Sequence, residues 1–172
     1  MSFELKILQN SDENEFKIDA QESFQKGFED RFGKIEETVL PIEDIDNSLY
    51  KNGAVAYKAF LDGEYVGGVI VVIDEKTNYN HLDILFVKNG VQSKGVGKEI
   101  WDNIEKLYPN TIVWETCTPY FERRNIHFYV NKCGFIITEF YNEKHPDTNV
   151  SEDFIGDGNE GMFVLKKHVN HR

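Results

Sequence analysis

Residues 85–98 read Leu85-Phe86-Val87-Lys88-Asn89-Gly90-Val91-Gln92-Ser93-Lys94-Gly95-Val96-Gly97-Lys98. An apolar run closes at Val87, and a helical repeat opens at Val96. Val96, Ile100, Ile104 and Leu107 recur at helical spacing with Trp101 beside them, and Pro109 ends the pattern. The stretch is therefore a strand-to-helix junction. Its two glycines, Gly95 and Gly97, let backbone N–H groups approach a ligand with no Cβ in the way. The start of the helix adds unpaired donors and partial positive charge, which suit a phosphate, and Lys94 and Lys98 reinforce it. A Walker A loop requires Gly-x-x-x-x-Gly-Lys-Ser/Thr, but Gly97-Lys98 is followed by Glu99, and Gln92 stands five positions before Gly97. A Rossmann fingerprint requires three glycines in an early βαβ unit; only Gly95-Val96-Gly97 is present, so that reading also fails.

Upstream of the junction, Phe3–Leu8 alternates apolar and polar residues like a strand. Ser11 or Asp12 caps a predicted helix with Phe16, Ala20, Phe24 and Phe28 on its apolar stripe and Gly33 as its stop. A short acidic segment follows Pro41. Two strand-like runs, 54–61 and 65–73, flank Asp62-Gly63-Glu64, a strong hairpin signal, and a third run covers 79–87. Downstream, 111–116 reads as a strand, 121–132 as a helix stopped by Cys133-Gly134, and 135–141 and 161–167 as strands. A hairpin start followed by β-α-β-α-β predicts a mixed sheet with helices packed on it. One domain is expected over residues 1–172.

The pattern Gln/Arg-x-x-Gly-x-Gly/Ala at Gln92–Gly97 resembles that of the GNAT (Gcn5-related N-acetyltransferase) superfamily. About 37 residues after Gln92 comes Phe128-Tyr129-Val130-Asn131-Lys132-Cys133-Gly134-Phe135, similar to the family's Phe-Tyr-x-x-x-Gly-Phe signature. The element order agrees too, so the resemblance spans essentially the whole chain. It implies the acyl-CoA N-acyltransferase fold: a mostly antiparallel sheet of about seven strands flanked by helices, with splayed fourth and fifth strands. It further implies acetyl-CoA as co-substrate, no metal, and acetyl transfer to a primary amine by direct attack without a covalent intermediate. The alternative is a non-catalytic acyl-CoA-binding module or sensor.

Carried onto this chain, the resemblance gives the pyrophosphate to the loop Gln92, Ser93, Lys94, Gly95, Val96, Gly97 and Lys98. Phe86 and Val87 would pair with the pantetheine arm, and an amide there would polarise the thioester carbonyl. Tyr129 would protonate the departing thiolate, and Asn125, one turn earlier, would bond the arm. The family commonly has Asn seven residues before the Tyr and Ala four before it; this chain has Glu122 and Asn125. The acceptor amine must lose a proton before it attacks. Strand alternation places His81 and Asp83 on one face with Leu85 and Val87, and Glu115 stands on the neighbouring strand. Asp83, then Glu115, then His81 are the candidate bases. His127 and His145 lack ligand spacing with other His, Cys or acidic residues. Cys117 and Cys133 are read as small, buried, apolar residues, and Arg123-Arg124 as a solvated helix edge.

Thirty Asp plus Glu against nineteen Lys plus Arg leave a net charge of −11, which argues against nucleic acid as a partner. Residues 1–50 hold thirteen acids and five bases, most of the excess. The resemblance puts this segment along the acceptor cleft, so Glu36, Glu37, Glu43 and Asp44 are expected to favour cationic amines. No run approaches the length of a membrane span and the start MSFELKILQN lacks the shape of a secretory signal. A small-molecule acceptor, no membrane partner and a cytoplasmic setting are expected, and a homodimer is compatible with the resemblance.

Overall fold

The computed structural model describes residues 2–91, 95–148 and 161–169. Its elements run β1 (Phe3–Ile7), α1 (Glu13–Phe32), α2 (Ile42–Leu49), β2 (Ala54–Leu61), β3 (Glu64–Val72), β4 (Tyr79–Val87), α3 (Val96–Leu107), β5 (Val113–Pro119), α4 (Arg123–His127), β6 (Ile136–Tyr141) and β7 (Met162–His168). The seven strands form one sheet in the order β1-β2-β3-β4-β5-β7-β6. β4 and β5 run parallel, whereas β1–β2, β2–β3, β5–β7 and β6–β7 are antiparallel. The mixed, mostly antiparallel sheet expected from the sequence is thus observed.

The chain divides into two compact units, Met1–Val72 with Ile84–Tyr108 and Ile73–Asp83 with Pro109–Arg172; the division falls inside β4. In the first unit the α1 stripe meets the sheet through Phe16 and Ala20, both fully buried, in a cluster with Ile45, Ile70, Ile84 and Phe86. The rings of Phe16 and Phe86 meet edge to face, 5.1 Å between centroids. That packing explains Gly68, whose missing Cβ would run into both rings, while a Cβ on Gly67 would strike the Phe86 carbonyl oxygen. Asp62 and Gly63 both take positive φ, as the hairpin signal requires.

Asp12 is the residue preceding α1, but its side chain makes no capping hydrogen bond. Its carboxylate faces Lys58 of β2 instead, at 3.8 Å, with Glu15 at 3.6 Å from the same ammonium. A 3-10 turn over Asn10–Asp12 leads the chain into the helix.

In the second unit Trp114, Leu165 and Phe135 are buried. Asn80 donates to the Thr111 hydroxyl at 2.7 Å and accepts from the Asp74 N–H at 2.9 Å, pinning the turn before β4. The helix expected over residues 121–132 is not regular. Five α-helical residues pass into a π-helical turn over Phe128–Lys132, where the Cys133 N–H reaches back five residues to the Phe128 carbonyl.

Candidate active site

The first unit contains the junction that the sequence singles out. Gly95 has φ +86°, a left-handed conformation that disfavours any side chain, and it immediately precedes α3. Its carbonyl accepts the first helical hydrogen bond from Glu99 N–H at 3.0 Å. The amides of Val96, Gly97 and Lys98 fall in the first turn, where a helix has no internal acceptor for them. The Val96 side chain is buried, which anchors the turn. The Lys98 ammonium pairs with Asp102 one turn on, so Lys98 brings its backbone to the junction rather than an unneutralised charge. Gln92, Ser93 and Lys94 lie outside the described residues.

At the end of β4, the Phe86 side chain is buried in the core and Val87 is half-buried. Lys88 N–H donates to the Val66 carbonyl at 2.8 Å, toward β3. Strand alternation then turns the peptide groups of Val87 to the opposite edge. The Ser23 hydroxyl of α1 donates to the Val87 carbonyl at 2.8 Å. Nothing in the sequence marked Ser23 for this contact, because it joins residues far apart in the chain.

The acidic segment separates into two kinds of residue. Glu36 and Glu37, in the connection between α1 and α2, and Glu43, in the first turn of α2, are exposed. Asp44 is half-buried, and its Oδ1 is buried with no hydrogen-bond partner among the described residues. Burial, and then the neighbouring Glu43 charge, push its carboxyl above the ordinary value. Asp46 differs: it meets the Lys17 ammonium at 2.5 Å and joins α2 to α1. The connection is held by Gln21, which donates to the Leu40 carbonyl at 3.0 Å, and by Gln25, which accepts from Val39 N–H at 2.8 Å.

The second unit contains the polar face of β4. Asn80 and Leu82 are buried on one side of the strand, and His81 and Asp83 stand on the other. His81 Nδ1 lies 2.6 Å from Asp83 Oδ1, and the Asp83 side chain is only 6% exposed. Burial pulls the imidazole pKa down, but the neighbouring Asp83 carboxylate and Cys117 sulfur outweigh it and raise the group to about 9. The two candidate bases of this strand are thus one coupled pair. Glu115 is half-buried and is the register partner of His81 across the parallel ladder. That ladder joins Tyr79–His81 to Val113–Glu115, three residue pairs, although β5 runs on to Pro119. Beyond it the Thr116 hydroxyl donates to the Leu82 carbonyl at 2.9 Å.

Cys117 is exposed, in contrast to the buried position expected for it, whereas Cys133 is buried as expected. The alternation of β5 accounts for the difference, since Cys117 shares its face with Glu115 rather than with the buried Thr116 and Thr118.

Tyr129 sits in the π-helical turn, and its carbonyl accepts from Phe135 N–H at 2.9 Å. Its ring meets that of Phe135 edge to face. The residue is partly exposed, but the phenol is crowded by protein. Burial pushes its pKa up to about 12 against a hydrogen bond with Thr116 that lowers it. The phenol therefore keeps its proton throughout the physiological range. Asn125, four residues earlier, lies 3.4 Å from the Thr118 hydroxyl. The wider π turn places Tyr129 off the simple four-residue repeat assumed for a regular helix. Arg123 and Arg124 are exposed, as expected. Among the described residues no group of three His, Cys, Asp or Glu side chains is placed to hold a metal, and no helix is long and apolar enough to cross a membrane.

Comparison with known proteins bears on the fold and the family. The chain is 45% identical over 147 residues to the uncharacterized protein YrkN of Bacillus subtilis (strain 168), which covers 85% of this chain and 80% of YrkN. The ribosomal-protein-S18-alanine N-acetyltransferase of Escherichia coli superposes with a TM-score of 0.67 at 12% identity, over 99% of this chain and 96% of that one. The PaiA N-acetyltransferase of Thermoplasma acidophilum, in complex with coenzyme A, superposes with a TM-score of 0.65 at 17% identity, over 98% and 100% of the two chains. Residues 17–135 match the model of the acetyltransferase (GNAT) family. The chain belongs to the GNAT acetyltransferase family, and acetyl transfer is its general activity.

Proposed function

We propose that the protein, acting as a single domain, moves the acetyl group of acetyl-CoA to the primary amine of a small cationic molecule. The amine attacks the thioester directly, with no acetyl-enzyme intermediate. The observation that carries this reading is β4 itself. It bears a coupled His81–Asp83 pair and ends in an amide at Val87 that is turned away from β3, just before the glycine junction.

The residues suit each part of the reaction. The first-turn amides of α3, with Gly95 keeping Cβ atoms away, match a pyrophosphate. The Val87 N–H matches the oxygen on which charge grows as the thioester carbonyl is attacked. An amine arrives as an ammonium and has no lone pair until it gives up a proton. Neutral His81 takes that proton, directly or through water, and Asp83 holds the resulting imidazolium. As the C–N bond forms and the C–S bond breaks, the protonated Tyr129 phenol donates to the leaving thiolate. Asp44, an underpartnered carboxylate, attracts the cationic acceptor, with Glu36, Glu37 and Glu43 adding a weaker, solvent-screened field.

The test is Tyr129→Phe, assayed by release of free CoA over a panel of cationic amines and by calorimetric CoA titration. Turnover is expected to fall about 100-fold with CoA affinity unchanged. A wild-type protein that binds CoA but releases none with any amine of the panel is an acyl-CoA-binding module instead.

A further inference from the structure

Among the described residues the sheet ends in two edge strands, β1 and β6. β6 carries a register shift between Ile137 and Glu139, an irregularity of the kind that blunts an edge. β1, in contrast, pairs with β2 from Phe3 to Ile7 without a shift. The bonds that flank this ladder fix which way its main-chain groups point. Leu8 N–H donates to the Ala56 carbonyl at 2.9 Å, and the Ser2 carbonyl accepts from Asp62 N–H at 2.7 Å. The even-numbered residues therefore turn their N–H and C=O groups toward β2, and Phe3, Leu5 and Ile7 turn theirs outward. The Ile7 carbonyl accepts from the Gln9 side-chain amide at 3.3 Å and keeps its second lone pair.

This outward row is complementary to itself. When it is set antiparallel against a second copy with Leu5 facing Leu5, Phe3 faces Ile7, and each facing pair exchanges both N–H···O bonds. In the intervening pairs, where side chains stand closer, Glu4 of one copy faces Lys6 of the other. Both side chains are exposed, and within one chain they meet at 3.5 Å. A lysine on an edge ordinarily guards it against pairing. Here Glu4, placed symmetrically with Lys6 about Leu5, supplies the counter-charge in this alignment, whereas an in-register parallel alignment sets Glu4 against Glu4. The opposite face of the same pairing brings together Phe3, Leu5 and Ile7, the last 61% exposed in the single chain. We propose that β1 is a dimerisation edge whose occupant is the β1 strand of a second copy of this chain, joining two sheets across a twofold axis at Leu5.

Sedimentation velocity of the full chain over a concentration series is expected to show a monomer–dimer equilibrium with a Kd on the order of 100 μM, as suits a small interface. Amide hydrogen exchange of the wild type, followed by NMR, should slow at Phe3, Leu5 and Ile7 as concentration rises, with Glu4 and Lys6 unaffected. Leu5→Pro removes an outward N–H and no bond to β2, so it should abolish the dimer. Glu4→Lys and Lys6→Glu each set like charges opposite one another and should each weaken self-association about tenfold. An equimolar mixture of those two chains, and the chain carrying both exchanges, should regain it. The exchange measurement needs no variant, so poor folding of Leu5→Pro leaves the test intact. A wild type that stays monomeric at about ten times the expected Kd overturns the proposal. So does a dimer left unchanged by Leu5→Pro and by both charge variants, or exchange at Phe3, Leu5 and Ile7 that ignores concentration.

Discussion

The glycine junction before α3 and the polar face of β4 expose different kinds of atom. The junction offers backbone amides, and what the chain must specify there is the absence of side chains. The face presents side chains, His81, Asp83, Glu115 and Cys117, from two strands. Backbone chemistry of the first kind leaves a local trace, because a residue at φ +86° is restricted almost to glycine. Side-chain chemistry of the second kind leaves little trace, since any of the four residues alone is an ordinary strand residue. If the two regions are separate devices, damage to one should leave the signature of the other intact.

The largest effect is expected at the face. His81→Gln should lower kcat about 100-fold while leaving CoA affinity by calorimetry unchanged. The pH dependence checks the assignment more sharply. With its pKa raised to about 9, His81 is mostly protonated near neutrality and cannot accept a proton, so wild-type kcat/KM should climb with pH and level off near 9. Asp83→Asn should move that inflection down toward the ordinary imidazole value. The same shift contributes stability that is fully present below pH 6.5 and is lost as pH rises through about 9, which melting curves with and without His81 would show. A pH-independent rate in the wild type would remove His81 from the proton path.

A smaller effect belongs to the junction. Gly95→Val puts a β-branched residue in the left-handed region, at about 1–2 kcal/mol, and should raise the KM for acetyl-CoA about tenfold. The acceptor KM and the pH profile should stay as they were; a changed profile would mean that the junction and the face are not independent. The smallest effect is expected from exchanging Glu36, Glu37, Glu43 and Asp44 together for their amides. The acceptor KM should rise about threefold at low salt with acetyl-CoA unaffected. Asp44→Asn alone should account for most of the rise, since the other three carboxylates are exposed.

Much of the architecture was legible because local signals and the fold agree. The hairpin at Asp62-Gly63, the stop at Gly33 and the period-two run over 79–87 each stand where the residue types put them. The irregular segments were not. The π turn at Phe128–Lys132, beside which the rings of Tyr129 and Phe135 meet, is not recorded by helical periodicity. At Gly67 and Gly68, only the Phe86 carbonyl and the Phe16–Phe86 ring pair show why no side chain fits there. The expected cap at Asp12 was diverted to Lys58, a residue 46 positions away.

By itself, then, the amino-acid order determined the mixed sheet, the phosphate-suited glycine junction and the tyrosine of the distal signature. Each depends on the backbone preferences of a few consecutive residues. Tertiary structure alone decided that His81 Nδ1 and Asp83 Oδ1 meet at 2.6 Å, that Cys117 is exposed on the face of Glu115, and that the Val87 carbonyl takes the Ser23 hydroxyl. Those properties depend on register across strands and on desolvation, which are set by distant residues such as Glu115, Thr116 and Ser23.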